Sequence, residues 1–330
     1  MRNFCIIFGI IASIGICIGV SGCAPQIKLF TDSTDPLREF TLEGKDKGKI
    51  LLIPVRGVIS DAPENHFLRS EPSMVQNIVS QLQRAEKDDE IKAVLLKISS
   101  PGGSVTASDM LYHEILGFKK RTGMKVIAVM TDMAASGGYY ISLPADVIMA
   151  HPTTITGSVG VIFMRPGVNG LMEKLGIDMT VNKSGKNKDM FSPFRKSTEE
   201  EEEMLRAMVA ELAEKFIHLV EIHRKPDEKA LSEIATARVC LAEKAKELGL
   251  IDEIGYLSDA IEKAKSLAGL PEDAKVVVYR RTEYPDDNIY NTADMKAGEK
   301  KFSFVSLGLP ESLTSLHTGF YYLWPAAAGF

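Results

Sequence analysis

The chain has 330 residues, enough for one large domain or two modest ones with an ample core. Apolar residues make up 45% and charged residues 25%, the balance of an ordinary globular protein. The net charge is −5 and no basic stripe appears, which sets nucleic-acid binding aside.

In chain order, Arg2 precedes an uncharged run from Phe4 to Val20, and Ser21-Gly22-Cys23-Ala24-Pro25 follows. A positive start, an apolar stretch and small residues before a cleavage point describe a secretory signal. Val20-Ser21-Gly22-Cys23 resembles the bacterial lipobox, whose cysteine is lipidated and becomes the mature N-terminus. Residues 1–22 are therefore read as a lipoprotein signal peptide. The alternative is an uncleaved anchor, the run lying near the lower limit of about 17 residues for crossing a bilayer. Either reading tethers the chain to a membrane of the cell envelope on its non-cytoplasmic side. Cys5 and Cys17 fall in the removed segment and Cys23 would carry the lipid, so Cys240 has no partner for an internal disulfide. Cys240 is expected in a helix, as a small buried hydrophobe.

Residues 23–48 read as the lipidated N-terminus and a polar linker. "KILLIPVRGVIS", from Lys49 to Ser60, is a buried strand broken by Pro54 and Gly57. Met74 to Ala85 carries apolar residues at helical spacing, and "IKAVLLKI" from Ile91 to Ile98 is a second strand that "SSPGGS" ends abruptly. A helix is expected from about Thr106 to Lys120, then a third strand from Lys125 to Asp132. "ADVIMA" and "TTITGSVGVIF" supply a fourth strand and a Gly-interrupted fifth. Strands alternating with helices predict an α/β fold with a mostly parallel sheet, whose functional loops lie at the carboxyl ends of the strands. Thr198 is placed to cap a long helix, with Glu199 to Glu203 in its first turns, where the helix dipole favours negative charge. That acidic run is helix chemistry rather than a metal site. Another helix ends at Gly249, "KVVVYRR" is a late strand, and the tail holding "FYYLWP" could cover a groove, lie on the membrane or be disordered.

Two turns rich in small residues stand at strand ends. "MAASGGYYIS" presents the Ser136 hydroxyl between a strand end and a helix start, with small neighbours that let a substrate backbone approach. Ser136 is read either as a nucleophile or as a helix cap. Gly102-Gly103 after Pro101 can aim N–H groups into a cleft, as an oxyanion hole requires, or form an ordinary turn. None of the six histidines, His66, His113, His151, His218, His223 and His317, sits near Ser136 in sequence as an evident base. A lysine is the natural substitute, because desolvation disfavours its ammonium form and Ser–Lys pairs follow the same logic as the triad. Lys183, Lys186 and Lys188 cluster in "VNKSGKNKDMFSPFR", where Met190 and Phe191 stand ready to exclude water from Lys188. No metal motif and no phosphate loop is present, so no metal and no cofactor is expected.

The ordered set "PVRGVIS", "ISSPGGSV", "MAASGGYYIS", "TGSVGV", "SGKNKDMFSPFR" and "ELGLIDEIG" resembles the signal peptide peptidase A family of membrane-bound serine proteases. The resemblance covers about Lys49 to Lys265, and it implies a Clp protease/crotonase-type fold, a spiral of β-β-α units. It implies a Ser–Lys protease domain over 49–270, with residues 271–330 as a C-terminal strand and tail. Carried onto matching positions, it makes Ser136 the nucleophile and Lys188 the general base. Gly103 and Gly137 become oxyanion donors, and Ser158 the residue that holds the lysine. It implies peptide substrates left from cleaved signal peptides, and a ring-shaped homo-oligomer in which neighbouring protomers can share a site. Two other readings are kept: a non-catalytic membrane scaffold of the same fold, and a crotonase-type acyl-thioester enzyme.

Overall fold

The computed structural model describes residues 35–66, 69–285, 287–291 and 318–328. Phe4–Val20 and Cys23 lie outside them. Among the described residues, no helix is long and apolar enough to cross a membrane.

The chain opens with β1 (Arg38–Glu43) and β2 (Asp46–Arg56), then a small hairpin of β3 (Glu64–His66) and β4 (Arg69–Glu71). Helix α1 (Met74–Ala85) leads to β5 (Ile91–Ser100), and β6 (Gly102–Ser104) to α2 (Val105–Thr122). β7 (Lys125–Ala135) enters the one-turn helix α3 (Gly137–Tyr140), followed by β8 (Val147–Ala150), β9 (Ile155–Gly157) and β10 (Ile162–Met164). Beyond α4 (Asn169–Leu175) comes a stretch without regular structure, then the long α5 (Glu199–Arg224) and the short α6 (Glu228–Ile234). β11 (Val239–Leu241), α7 (Ala242–Glu247), β12 (Glu253–Ile254), α8 (Leu257–Leu267) and β13 (Ala274–Arg280) follow, and β14 (Gly319–Leu323) lies near the C-terminus.

The main sheet runs β1-β13-β2-β5-β7-β8-β12. Every pairing from β13 to β12 is parallel, and only β1 at the edge is antiparallel. β9 extends the end of β7 in parallel, and β11 pairs antiparallel with β9. Parallel sheets are covered on both faces, so their strands read as continuous apolar runs. Alternation splits those runs between two cores. Leu51, Ile53, Leu96, Ile98, Ala128 and Met130 pack with Leu82 of α1, Leu111 and Phe118 of α2 and Phe216 of α5. Ile50, Leu52, Leu95, Ile127 and Val129 face Leu257, Ile261 and Ala264 of α8.

The α/β class with a largely parallel sheet is what the sequence led one to expect, and α1 keeps its expected bounds. Helix ends follow their capping residues. Ser73 accepts from Gln76, and Thr198 and Glu201 form a reciprocal capping box on α5.

Four details differ. Pro54 does not break its strand: β13 pairs with β2 only as far as Leu51, so a missing N–H at Pro54 is tolerated there. Residues 38–43 form the edge strand β1 and residues 46–48 the start of the inner strand β2, rather than linker. β13, on the far side of the expected boundary at 270, is an inner strand between β1 and β2. Cys240 sits in β11 rather than a helix and is only half-buried, because Val239–Leu241 pair with Ile155–Gly157.

Candidate active site

Ser136 lies between the end of β7 and the start of α3. Its φ is 51° and its ψ −113°, a backbone that residues with a Cβ rarely adopt. The flanking turn is held from both sides: the Ser136 N–H donates to the Gly157 carbonyl at 2.8 Å, and the Tyr140 N–H to the Ser136 carbonyl at 2.9 Å. Ala134 and Ala135 are fully buried and Ser136 is 1% exposed. The hydroxyl does not cap α3, which removes the helix-cap reading. Among the described residues it meets only the Gly160 carbonyl, at 3.5 Å. Two phenols lock the helix behind it: Tyr139 donates to the Leu250 carbonyl at 2.8 Å and Tyr140 to Asp109 at 2.7 Å. Burial pushes both phenols well above the usual tyrosine range, so they remain protonated donors.

The second turn packs against the first. Gly102 has φ 100°, and its N–H donates to the Ser100 hydroxyl at 3.1 Å. Ser100 in turn donates to the Gly57 carbonyl at 2.7 Å. Gly103 lies flat on Ile59, where a Cβ would stand 2.0 Å from the Ile59 carbonyl oxygen. A Cβ on Gly137 would stand 2.5 Å from the Ser108 hydroxyl. As the first residue of α3, Gly137 has an N–H that its own helix cannot satisfy. Ser158, just past β9, also has a left-handed backbone, with φ 54°, and is 9% exposed. Its N–H donates to the Arg238 carbonyl at 2.8 Å. Ser136, Gly137, the Gly102-Gly103 turn and the segment from Gly157 to Gly160 therefore meet around one hydroxyl.

The lysines sit elsewhere in the chain's architecture, in the irregular segment between α4 and α5. Asp189 gathers this segment: Lys183 reaches it at 2.7 Å and Arg195 at 2.7 Å, and Arg195 also binds Glu201 at 2.5 Å. Hydrogen bonds from Arg195 and Lys183 hold the Asp189 carboxyl well below the usual carboxylate range, and Arg195 does the same for Glu201. Lys186 pairs with Glu200. Lys188 alone of the three has no carboxylate partner among the described residues, and no hydrogen bond joins it to Ser136 or Ser158 there. It is exposed, so Met190 and Phe191 do not exclude water from it within one chain. Phe191 turns away at φ 67° and packs against Phe163 of β10, 4.7 Å between ring centroids.

The model of peptidase family S49 matches residues 118–271, and that of Clp protease matches residues 68–156. The putative signal peptide peptidase SppA of Enterococcus faecium is 37% identical over 253 residues, 77% of this chain and 73% of that protein. The chain belongs to peptidase family S49.

A putative protease of Synechocystis is 32% identical over 80% of this chain and 90% of its own length. The chloroplastic serine protease SPPA of Arabidopsis thaliana is 33% identical over 71% of this chain but only 34% of that relative. As a member of family S49 the chain is a serine protease, and the acyl-thioester and scaffold readings fall away. Sequence reasoning missed the supports of this protease's turns: Ile59 and Gly160 act through backbone groups, and the Ser100 hydroxyl acts on the backbone of Gly57 and Gly102. It also missed the Asp189–Arg195–Glu201 network and the place of the tail. The aromatic-rich run "GFYYL", a composition favoured in strands, was the available signal for the tail.

Proposed function

We propose that this S49 protease is a membrane-tethered endopeptidase with a Ser–Lys dyad that degrades cleaved signal peptides and other envelope peptides. The observation that carries the reading is Ser136: a strained, buried turn at a strand end holds a hydroxyl with no strong partner. Such strain persists only where the surroundings over-determine it, and here it leaves a nucleophile free to react. Lys188 is the base of the reading. Among the described residues it is the member of its cluster not neutralised by a carboxylate, whereas Lys183 and Lys186 are bound in ion pairs.

In this reading the Ser136 Oγ attacks the peptide carbonyl carbon as its proton passes to the neutral Lys188 amine. The carbonyl π electrons move to oxygen, and the N–H groups of Gly103 and Gly137 receive the oxyanion. Collapse breaks the C–N bond, and the Lys188 ammonium returns the proton to the leaving amine. Water, deprotonated by the same lysine, then releases the acyl group from Ser136. Ser158 holds the amine by its hydroxyl.

A lysine works as a base only where water is kept from it. Leu171, Leu175, Ile177, Met179, Val181 and Phe194 are exposed apolar side chains on the same stretch of chain as Lys188. Covering them with a neighbouring protomer would dry the lysine, which supports the ring-shaped homo-oligomer and a site shared between chains. The lipidated Cys23 is the proposed tether, on the non-cytoplasmic side of the envelope.

The test is fluorophosphonate labelling of the chain beginning at Cys23, with the adduct located by peptide mass spectrometry. Label on Ser136, lost in Ser136→Ala and Lys188→Ala, is the expected result. A required base that disappears with one of the histidines instead would overturn the dyad.

A further inference from the structure

Asp189 follows Lys188 directly, so a carboxylate stands on the residue beside the proposed base. Left alone, that charge would favour the ammonium form of a neighbouring lysine, the form that cannot accept a proton. Arg195 answers it with one edge of its fork. The Arg195 Nε donates to Asp189 Oδ2 at 2.9 Å, and Nη2 donates to Oδ1 at 2.7 Å. The same Nη2 reaches the Asp189 carbonyl at 3.1 Å, so the main chain is held as well as the side chain.

The other edge of the guanidinium is directed at α5. Nη1 donates to Glu201 Oε2 at 2.8 Å and Nη2 to Oε1 at 2.5 Å, and Nη1 also reaches the Lys196 carbonyl at 3.0 Å. Glu201 is 2% exposed, and its carboxylate receives the Thr198 N–H at 2.9 Å in the capping box. Arg195 therefore ties the residue after Lys188 to the capped first turn of a 26-residue helix. A double fork of this kind fixes geometry as well as charge, which a single ammonium does not.

The charges that reach this segment come from three places. Lys183, Lys186, Asp189 and Arg195 belong to it, Glu200, Glu201 and Glu202 come from α5, and Arg165 lies just past β10. Lys186 binds Glu200, and Arg165 binds Glu202 at 3.5 Å. Lys183 and Arg195 with Asp189 and Glu201 make a set of two cations and two carboxylates, neutral as a whole. Remove one member and a net charge is left next to Lys188.

We infer that Arg195 is a positioning residue for the proposed base: it cancels the Asp189 charge beside Lys188 and pins the main chain there to α5, so that the amine can work unprotonated. Lys183 makes one contact with Asp189 and adds less. Among the described residues no hydrogen bond joins Arg195 to Ser136 or Ser158, so its effect passes through Lys188. The inference rests on the reading of Lys188 as the base.

The experiment follows kcat/KM for one fluorogenic peptide from about pH 6 to about pH 10, a range that brackets lysine deprotonation, using the chain from Cys23 onward. In the parent, activity rises along one limb as the base loses its proton. Arg195→Gln leaves Asp189 uncompensated, and the limb should move up by about half to one pH unit. Asp189→Asn leaves an excess positive charge, and the limb should move down by a similar amount. The double variant should return the limb to the parent's position, with a maximum several-fold lower because the fork is gone. A merely structural brace would lower the maxima and leave every limb in place, and that result overturns the inference. Should Arg195→Gln fail to fold with Glu201 buried and unpaired, Asp189→Asn decides: a limb that does not move down overturns the inference. Fluorophosphonate labelling of Lys188→Ala keeps the two readings apart. Label on Ser136 at the parent's rate there is a failure of the Ser–Lys reading, whereas lost label with unmoved limbs is a failure of this inference alone.

Discussion

The turn that carries Ser136 and the segment that carries Lys188 are built on opposite principles. The serine turn hangs from the end of an inner strand, β7, between two fully buried alanines and a helix fixed by two buried phenols. Nothing outside the chain is needed to hold its geometry. The lysine segment has no regular structure between α4 and α5, and it is organised by ion pairs on Asp189 rather than by a core. Around it the apolar side chains face outward. The Ser136 turn is therefore set by folding, whereas the chemistry proposed for Lys188 has to be completed by something that covers that surface.

The largest effect should come from the self-sufficient half. Ser136→Ala is expected to lower peptide hydrolysis by at least ~10³-fold, as loss of a serine nucleophile does in other hydrolases. The circular dichroism spectrum and melting temperature should not change, because among the described residues the hydroxyl has one weak contact. Residual hydrolysis within tenfold of the parent would break the assignment. Lys188→Ala should cost nearly as much, while Lys183→Ala and Lys186→Ala keep most of the activity, measured as kcat/KM on one peptide. Comparable losses at all three lysines would mean that the loop matters only for its net charge.

Covering the lysine segment gives a third test. Leu175 is 63% exposed on α4, and Leu175→Glu would place a charge in any face that buries it. The expected result is dissociation of the assembly, seen by light scattering, with a parallel fall in activity of about 10-fold or more. A monomer that retains full activity would show the segment to be complete by itself.

What the sequence disclosed follows the same division. The buried strands "IKAVLLKI" and "KVIAVM" announced themselves by composition, and the small residues after Asp132 flagged Ser136, because both depend on local chemistry. Cys240 was misread because helical spacing around it competes with strand pairing to β9, which is set by tertiary context. The choice among Lys183, Lys186 and Lys188 was not legible, since the ion pairs that set the first two apart link residues up to an α5 position. Tyr322 was invisible for a similar reason: its partners Tyr140, Leu212 and Phe216 lie far away along the chain. Backbone supports such as Ile59 under Gly103 leave no side-chain signature at all.

The comparison is sharpened next by a glycine. Gly103→Ala would drive a methyl into the Ile59 carbonyl, and backbone on both sides leaves no flexible neighbour to yield. A loss of about 1–3 kcal/mol of stability is expected, the usual cost of overpacking. Thermal unfolding should show it, with activity falling further than stability alone explains. An alanine variant as active as its parent would remove Gly103 from the site.

The smallest effect tests whether the rigid half can be weakened without touching catalysis. Asp252 accepts from the Ile148 N–H at 2.7 Å and pairs with Arg224 at 2.8 Å, tying the end of α5 to β8. Burial raises its pKa, but the bonds from Arg224 and Ile148 outweigh that and lower it below the ordinary 3.8. A carboxylate with a lowered pKa contributes stability above its unfolded value and loses it as pH falls through the folded one. Asp252→Asn should therefore cost stability at neutral pH, by about 1 kcal/mol once solvent screening of the partly exposed pair is allowed for. The gap between parent and variant should shrink as pH drops below about 4, where the parent's carboxylate also takes up its proton. Denaturant midpoints at pH 7 and pH 3.5 measure both quantities. The pair braces the sheet rather than the turn, so kcat/KM at neutral pH should match the parent. A catalytic loss at Asp252→Asn would instead mean that the geometry of the Ser136 turn depends on the whole sheet, and that the turn is less self-contained than its local bonds imply.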